Sequence, residues 1–150
     1  MLTLGISQQH LDEIYQDPYI TSPFHDNMQH QPVFVPNSFY LSAWVNDEFA
    51  GAFLMFKYSE AEMEVHSLLK RSFVKKTRTL GKELIKWVFD FEHVLRLSTY
   101  IPSDMPSVMN YVEKIGFIPE GIKREVSTKN GSFINNHIYG ITRTDYRSTK

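Results

Sequence analysis

A glutamate and a histidine stand two residues apart in AEMEVHSLL, residues 61–69. The run alternates apolar and polar side chains, which is the pattern of a strand with one covered face. A strand repeats its side-chain direction every second residue, so Glu64 and His66 share a face and can project into one cleft. A carboxylate and an imidazole placed together are suited to taking a proton from a nucleophile, and histidine has the ordinary pKa nearest neutrality. Either residue could be the base. The bland alternative, a hydrogen-bonded, half-buried histidine that only shapes its strand, stands beside that assignment.

A second stretch, VKKTRTLGKEL (residues 74–84), runs three cations and two threonines into Gly81, and a helical pattern follows. Loops that cradle a pyrophosphate usually place at least two glycines where the backbone must approach the anion. Here there is one. Lys70, Arg71, Lys75, Lys76, Arg78 and Lys82 form a basic cluster with no acid between residues 65 and 82. It is suited to phosphates, or it is a solvated loop. The cluster is too local for a duplex-binding surface, and the formal net charge of −1 does not steer the whole molecule to nucleic acid or to acidic membranes.

Composition narrows the classes further. There is no cysteine, which excludes disulfides, thiolate metal sites and cysteine nucleophiles and fits a reducing cytosol. His25 and His30, five apart, match no metal spacing, so no metal site is expected. No stretch approaches the ~18 apolar residues of a membrane span, and no signal peptide is recognisable, so a soluble cytoplasmic protein is expected. With 42% hydrophobic residues in a chain of 150, one domain spanning residues 1–150 with a sizeable core is expected.

These groups must be held by the surrounding elements. Residues 2–6 read as a short strand, and SQQHLDEIYQD as a helix with Ser7 as its N-cap. Residues 18–38 carry four of the seven prolines and read as irregular and partly helical. SFYLSAWVN and FAGAFLMFKY read as strands joined by the turn Asn46-Asp47-Glu48. Leu80, Leu84, Ile85, Val88 and Phe91 recur at helical spacing, so Trp87 and Phe91 read as packing against a sheet rather than as a stacking platform. Residues 94–101 give another strand. Pro106 opens a helix with the stripe Val108, Tyr111, Val112 and Ile115, which Gly116 ends as a left-handed residue. A strand begins at Phe117, and Asn130-Gly131 marks a closing hairpin.

That order, with EKIGFIPEG after the second long helix, resembles the GNAT N-acetyltransferase superfamily; Lys114, Gly116, Phe117, Glu120 and Gly121 stand where its lysine, Gly-Phe and Glu-Gly occur, and YGITRTDY resembles its usual ending. The resemblance is closer to the GNAT-like proteins of tailed bacteriophages, through EVHSLL, LIKWVFD and HVLRLSTYIPSD, and it covers roughly residues 18–146. It implies an α/β fold with a mixed, twisted sheet splayed between its fourth and fifth strands and helices on both faces. It implies acetyl-CoA as cofactor, the pantetheine held by main-chain groups near Leu68 and Leu69 and the pyrophosphate held by Lys76, Thr77, Arg78, Thr79, Leu80 and Gly81. A small-molecule or protein amine would be the acceptor, with His66 or Glu64 as base. The tyrosine that protonates the departing thiolate is expected at position 112, which is Val112, and Tyr111 is one step off. Thr79 replaces a loop glycine, and Met105 replaces an asparagine near CoA. A second reading follows from these departures: a catalytically silent GNAT fold reused as a structural or head-assembly protein of the phage particle. It would self-associate or bind phage structural proteins through the aromatic wall of Phe24, Phe34 and Phe39.

Overall fold

The structure, a computed structural model, describes residues 1–24, 32 and 35–149. His25, His30 and Phe34 lie outside the described residues. The chain runs β1 (Leu2–Leu4), α1 (Gln8–Tyr15), α2 (Pro18–Thr21), β2 (Ser38–Val45), β3 (Glu48–Lys57), β4 (Glu62–Leu69), a 3-10 turn (Arg71–Lys76), α3 (Thr77–Phe91), β5 (Arg96–Pro102), α4 (Pro106–Lys114), β6 (Ile118–Lys129), β7 (Ser132–Thr142) and α5 (Arg143–Ser148). Local chemistry sets many of these ends. Ser7 caps α1 by accepting the His10 amide. Asn46 and Asp47, both at positive φ, make the two-residue turn between β2 and β3, and Asn130-Gly131 does the same between β6 and β7. Gly116 ends α4 at φ 117, the left-handed end expected of it.

The strands form one seven-stranded sheet in the order β1-β2-β3-β4-β5-β7-β6. β1 to β4 are antiparallel neighbours, and β5 joins β4 in parallel through the crossover helix α3. The β4–β5 register holds only for Glu62–Arg96, Met63–Leu97 and Glu64–Ser98. The strands then part, and β5 continues on β7 for seven pairs. At the point of parting a side chain replaces the backbone rung: Thr99 Oγ1 donates to the Val65 carbonyl at 2.9 Å. This is the splay between the fourth and fifth strands that the resemblance implied.

Two cores flank the sheet. On one face Phe53, Met55, Met63, Val65 and Leu97 pack with α3 and α4; on the other Tyr40, Ala52, Leu54 and Leu68 pack with α1 and α2. The buried stripe of α3 is Leu80, Gly81, Leu84, Ile85, Val88 and Phe89. The expected Phe91 is 72% exposed and only meets Trp87 at the helix end, whereas Phe89 is 3% exposed. Phe89 is the covered ring because Tyr146 stacks on it at 5.3 Å and the Arg143 guanidinium lies 5.4 Å from its centroid. The closing sequence was not expected to be helical, yet Thr142 and Asp145 form a reciprocal capping box that starts α5. Arg143 then donates to the carbonyls of Phe89, Glu92 and Val94 at 2.6–2.9 Å, sealing the end of α3. Those carbonyls have no partner within the helix, so a fixed cation there satisfies groups that would otherwise need water.

Candidate active site

β4 positions most of the site. The Val65 carbonyl faces β5, whereas the Lys70 amide donates to Ala50 of β3. Main-chain direction alternates along a strand, so the amides and carbonyls of Ser67 and Leu69 look into the gap that β5 has left. The Leu68 main chain looks the other way, its carbonyl against Gly51. Of the two residues expected to face a pantetheine, Leu69 has its main chain on the open edge and Leu68 does not; the other main chain on that edge is Ser67's.

Glu62, Glu64 and His66 line the α1 side of β4, with Arg96, Ser98 and Tyr100 beside them on β5. Two of the three rungs, the first and the last, join Glu62 to Arg96 and Glu64 to Ser98 within this face. The next residues on it, His66 and Tyr100, stand on either side of the mouth of the splay. Glu64 is 5% exposed, and both its oxygens are engaged: Tyr58 donates to Oε1 at 2.8 Å and His66 Nε2 contacts Oε2. Burial, with the Glu64 carboxylate beside it, pushes the Tyr58 phenol far above its ordinary range. Burial and the carboxylates of Glu64 and Glu62 push Tyr100 up as well. Both phenols therefore remain protonated donors at neutral pH.

Below this cluster Arg96 grips Glu120 with two nitrogens at 2.5 and 3.2 Å, donates to Ser98 at 3.0 Å, and lies 3.7 Å from Glu62. The Glu120 that carried part of the resemblance is thus the far jaw of a bidentate clamp. Neither Tyr58, Tyr100, Ser98 nor the Arg96–Glu120 pair was legible as site chemistry. They lie on separate segments, and no short spacing signals them.

Tyr111 approaches from the opposite face. Its hydroxyl shares a hydrogen bond with Ser67. It lies where a Cβ on Gly81 would collide with it, and that Cβ would also fall 2.8 Å from Ile115 Cδ1. Gly81 is therefore the opening through which a tyrosine on α4 reaches β4 across α3. Position 112, where the family places its tyrosine, is a buried valine in the core. Burial pushes the Tyr111 phenol up to about 12 from 10.0. The folded chain then holds this proton more tightly than the unfolded chain. The associated stability is whole below pH 10 and is lost as the pH rises toward 12, about 2–3 kcal/mol in all. Urea melts between pH 9 and 12 should show this loss, and Tyr111→Phe should flatten it; an unchanged slope would mean that the phenol is solvated.

The basic stretch folds differently from a glycine loop. The 3-10 turn runs directly into α3, the Thr77 amide donates to the Val74 carbonyl, and Lys76 is the N-cap residue without a side-chain cap bond. Residues 77–81 form the first turn of the helix, with Leu80 and Gly81 buried and Arg78 and Thr79 exposed. Lys70 pairs with Glu13 at 3.2 Å and Arg71 lies over Tyr19, both on the α1–α2 side. Among the described residues no ion pair engages Lys75, Lys76, Arg78 or Lys82. Met105, at the asparagine position, packs against the core at the start of α4, and Asp104 beside it pairs with Lys129 at 3.1 Å. Among the described residues no cluster of metal-ligating side chains occurs, and no helix is long and apolar enough to cross a membrane.

No protein-family model matches the chain, and no curated protein matches it in sequence. Solved structures do match in fold. A variant of the spermidine N-acetyltransferase SpeG from Vibrio cholerae superposes with a TM-score of 0.82 at 14% identity, covering 99% of each chain. The same enzyme in complex with CoA and spermine gives 0.81 at 15% identity, covering 97% of this chain and 98% of the other. Glutamate-to-glutamine forms of the Vibrio cholerae spermidine/spermine N-acetyltransferase give 0.78 at 15%, covering 100% and 99%. The fold is that of the GNAT-type N-acyltransferases, a mixed sheet parted between β4 and β5 with helices on both faces.

Proposed function

We propose that this chain is an acetyl-CoA-dependent N-acetyltransferase acting on an amine. The observation that carries the proposal is the open edge of β4 beside the pair Glu64–His66: main-chain groups left unpaired among the described residues and a proton acceptor meet at one mouth. The residues present fit acetyl-CoA, which when bound supplies an acetyl thioester open to attack by an amine. The Ser67 and Leu69 main chain would hold the pantetheine in the gap as an added strand is held. Lys76, Arg78 and the exposed Thr79 hydroxyl, at the positive end of α3, would carry the pyrophosphate. Tyr111, still protonated at neutral pH, would deliver its proton to the leaving sulfur. His66 or Glu64 would relieve the acceptor ammonium of a proton, since an amine near its ordinary pKa of ~10 is not a nucleophile at neutral pH.

The fold neighbours act on polyamines, so spermidine and spermine are the first acceptors to test, before small amines and protein lysines. The assignment to a tailed phage, with the host cytoplasm as the site of action, rests on the sequence resemblance. One observation favours the second reading, a phage assembly protein that keeps the fold without the chemistry. The Thr77 amide is bonded to Val74, so the cradle lacks its first free donor. The two readings separate on a melt. Acetyl-CoA at a hundred times its Kd should stabilise the folded chain by about 2.7 kcal/mol, read as a rise in melting temperature. No rise with millimolar acetyl-CoA, in protein freed of CoA, would remove the enzyme and leave the assembly protein. Self-association in sedimentation would then be its signature.

A further inference from the structure

Within the proposed transfer, the structure distinguishes the parts that sequence left interchangeable. Glu64 is nearly enclosed, and neither of its oxygens is open: Oε1 accepts from the Tyr58 hydroxyl and Oε2 faces His66 Nε2. Each of its oxygens already holds one partner, and a side chain only 6% exposed gives its remaining lone pairs little access to an acceptor. His66 differs. Its side chain is 32% exposed against 6% for Glu64, and among the described residues only its Nε2 is engaged, by Glu64. The edge of the Phe56 ring meets the imidazole at 5.8 Å and 86°, which fixes the plane of the ring. With Nε2 donating to Glu64, the neutral imidazole carries its hydrogen there and leaves Nδ1 bare.

We infer that His66 Nδ1 is the base, that Glu64 is the carboxylate that orients it, and that Tyr58, one residue beyond β3, is the positioning residue that fixes Glu64. The inference rests on the acetyltransferase reading for its reaction and on the Tyr58–Glu64–His66 geometry for its substance. In the step concerned, the acceptor ammonium gives one proton to Nδ1 and becomes a neutral amine. The imidazolium so formed is held by the Glu64 carboxylate, which remains ionised. Tyr58 keeps its proton throughout, and its role is to divide the carboxylate's charge between two donors. The titratable and charged groups that face the pair are Tyr58, Glu62 on β4, Tyr100 and Arg96 on β5, and Glu120 on β6 behind Arg96.

The test reads the imidazole itself, so it does not depend on turnover. In protein labelled with ¹⁵N-histidine, long-range proton–nitrogen spectra at alkaline pH should show the His66 ring hydrogen on Nε2. Following the ring resonances with pH should then give shifts of opposite sign in two variants. Tyr58→Phe concentrates the Glu64 charge on His66 and moves its titration to higher pH. Glu64→Gln removes that charge and moves it lower. A merely structural role for Tyr58 would not displace the titration in the direction opposite to Glu64→Gln. A ring hydrogen on Nδ1, or a Tyr58→Phe titration that coincides with wild type, overturns the inference. Phe at position 58 keeps the ring, and a cooperative melt of the variant verifies that the fold is retained. The acetyltransferase reading is judged separately. Where an amine is acetylated, Tyr58→Phe should lower kcat about 10-fold with the KM for acetyl-CoA unchanged. If no amine is acetylated while both titration shifts appear, the transfer reading fails and the Tyr58–Glu64–His66 coupling stands.

Discussion

Replacing His66 with alanine should lower kcat/KM for the amine about 10²–10⁴-fold while leaving the acetyl-CoA-induced rise in melting temperature intact. That range is what a positioned general base typically contributes. The separation follows from location. His66 lies on the α1 side of β4, whereas the groups proposed to hold acetyl-CoA are the β4 main chain and the start of α3. A variant that loses only the base therefore loses the step in which the ammonium gives up its proton, and kcat falls with little change in cofactor affinity. Glu64→Gln should cost less, because it misorients the imidazole without removing it. Thiol release with spermidine or spermine as acceptor gives the measurement. Full activity in both variants would put the base elsewhere.

The second large effect concerns Gly51. A Cβ there would run into the Leu68 carbonyl oxygen and sit 2.8 Å from Leu69 Cα, both backbone atoms of the neighbouring strand that cannot swing aside. Its φ of +134 is also one that residues with a Cβ rarely adopt. Overpacking costs typically ~1–3 kcal/mol and such backbone strain a similar amount, so Gly51→Ala should lose about 2–6 kcal/mol in urea melts with an unchanged m-value. Because the displaced atoms belong to Leu68 and Leu69, the variant should also lose part of its stabilisation by acetyl-CoA. A loss below about 1 kcal/mol would mean that β3 and β4 can separate here at little cost.

Much of the scaffold was legible because its signals are local. Asn46-Asp47 and Asn130-Gly131 carry their turn geometry in two residues, and Leu80, Leu84, Ile85 and Val88 carry helical phase in nine. Glu64 and His66 were placed on one face by the two-residue period alone. The remainder depends on separations that a period cannot report. Tyr58 reaches Glu64 from beyond the end of the preceding strand, and Glu120 reaches Arg96 across 24 residues. Tyr111 looked misplaced by one helical step until Gly81, on a different helix, proved to be the space it passes through. Phe89 and Phe91 exchanged places because the cover over α3 comes from Arg143 and Tyr146, more than fifty residues later. The phosphate stretch was read as a loop because threonine and lysine hide a helix start that the 3-10 turn feeds directly.

The strand order has a consequence for a chain leaving the ribosome. β7 is made after β6 yet lies between β6 and β5. Until residues 132–142 have emerged, β5 has only its short register with β4, and its far edge, with the apolar Leu97 and Ile101 alongside, waits uncovered. β6 meanwhile has no neighbour at all. The nascent chain thus carries two sticky edges that close together when one late strand slots between them. Its exposure to aggregation is concentrated in the seconds before that strand arrives.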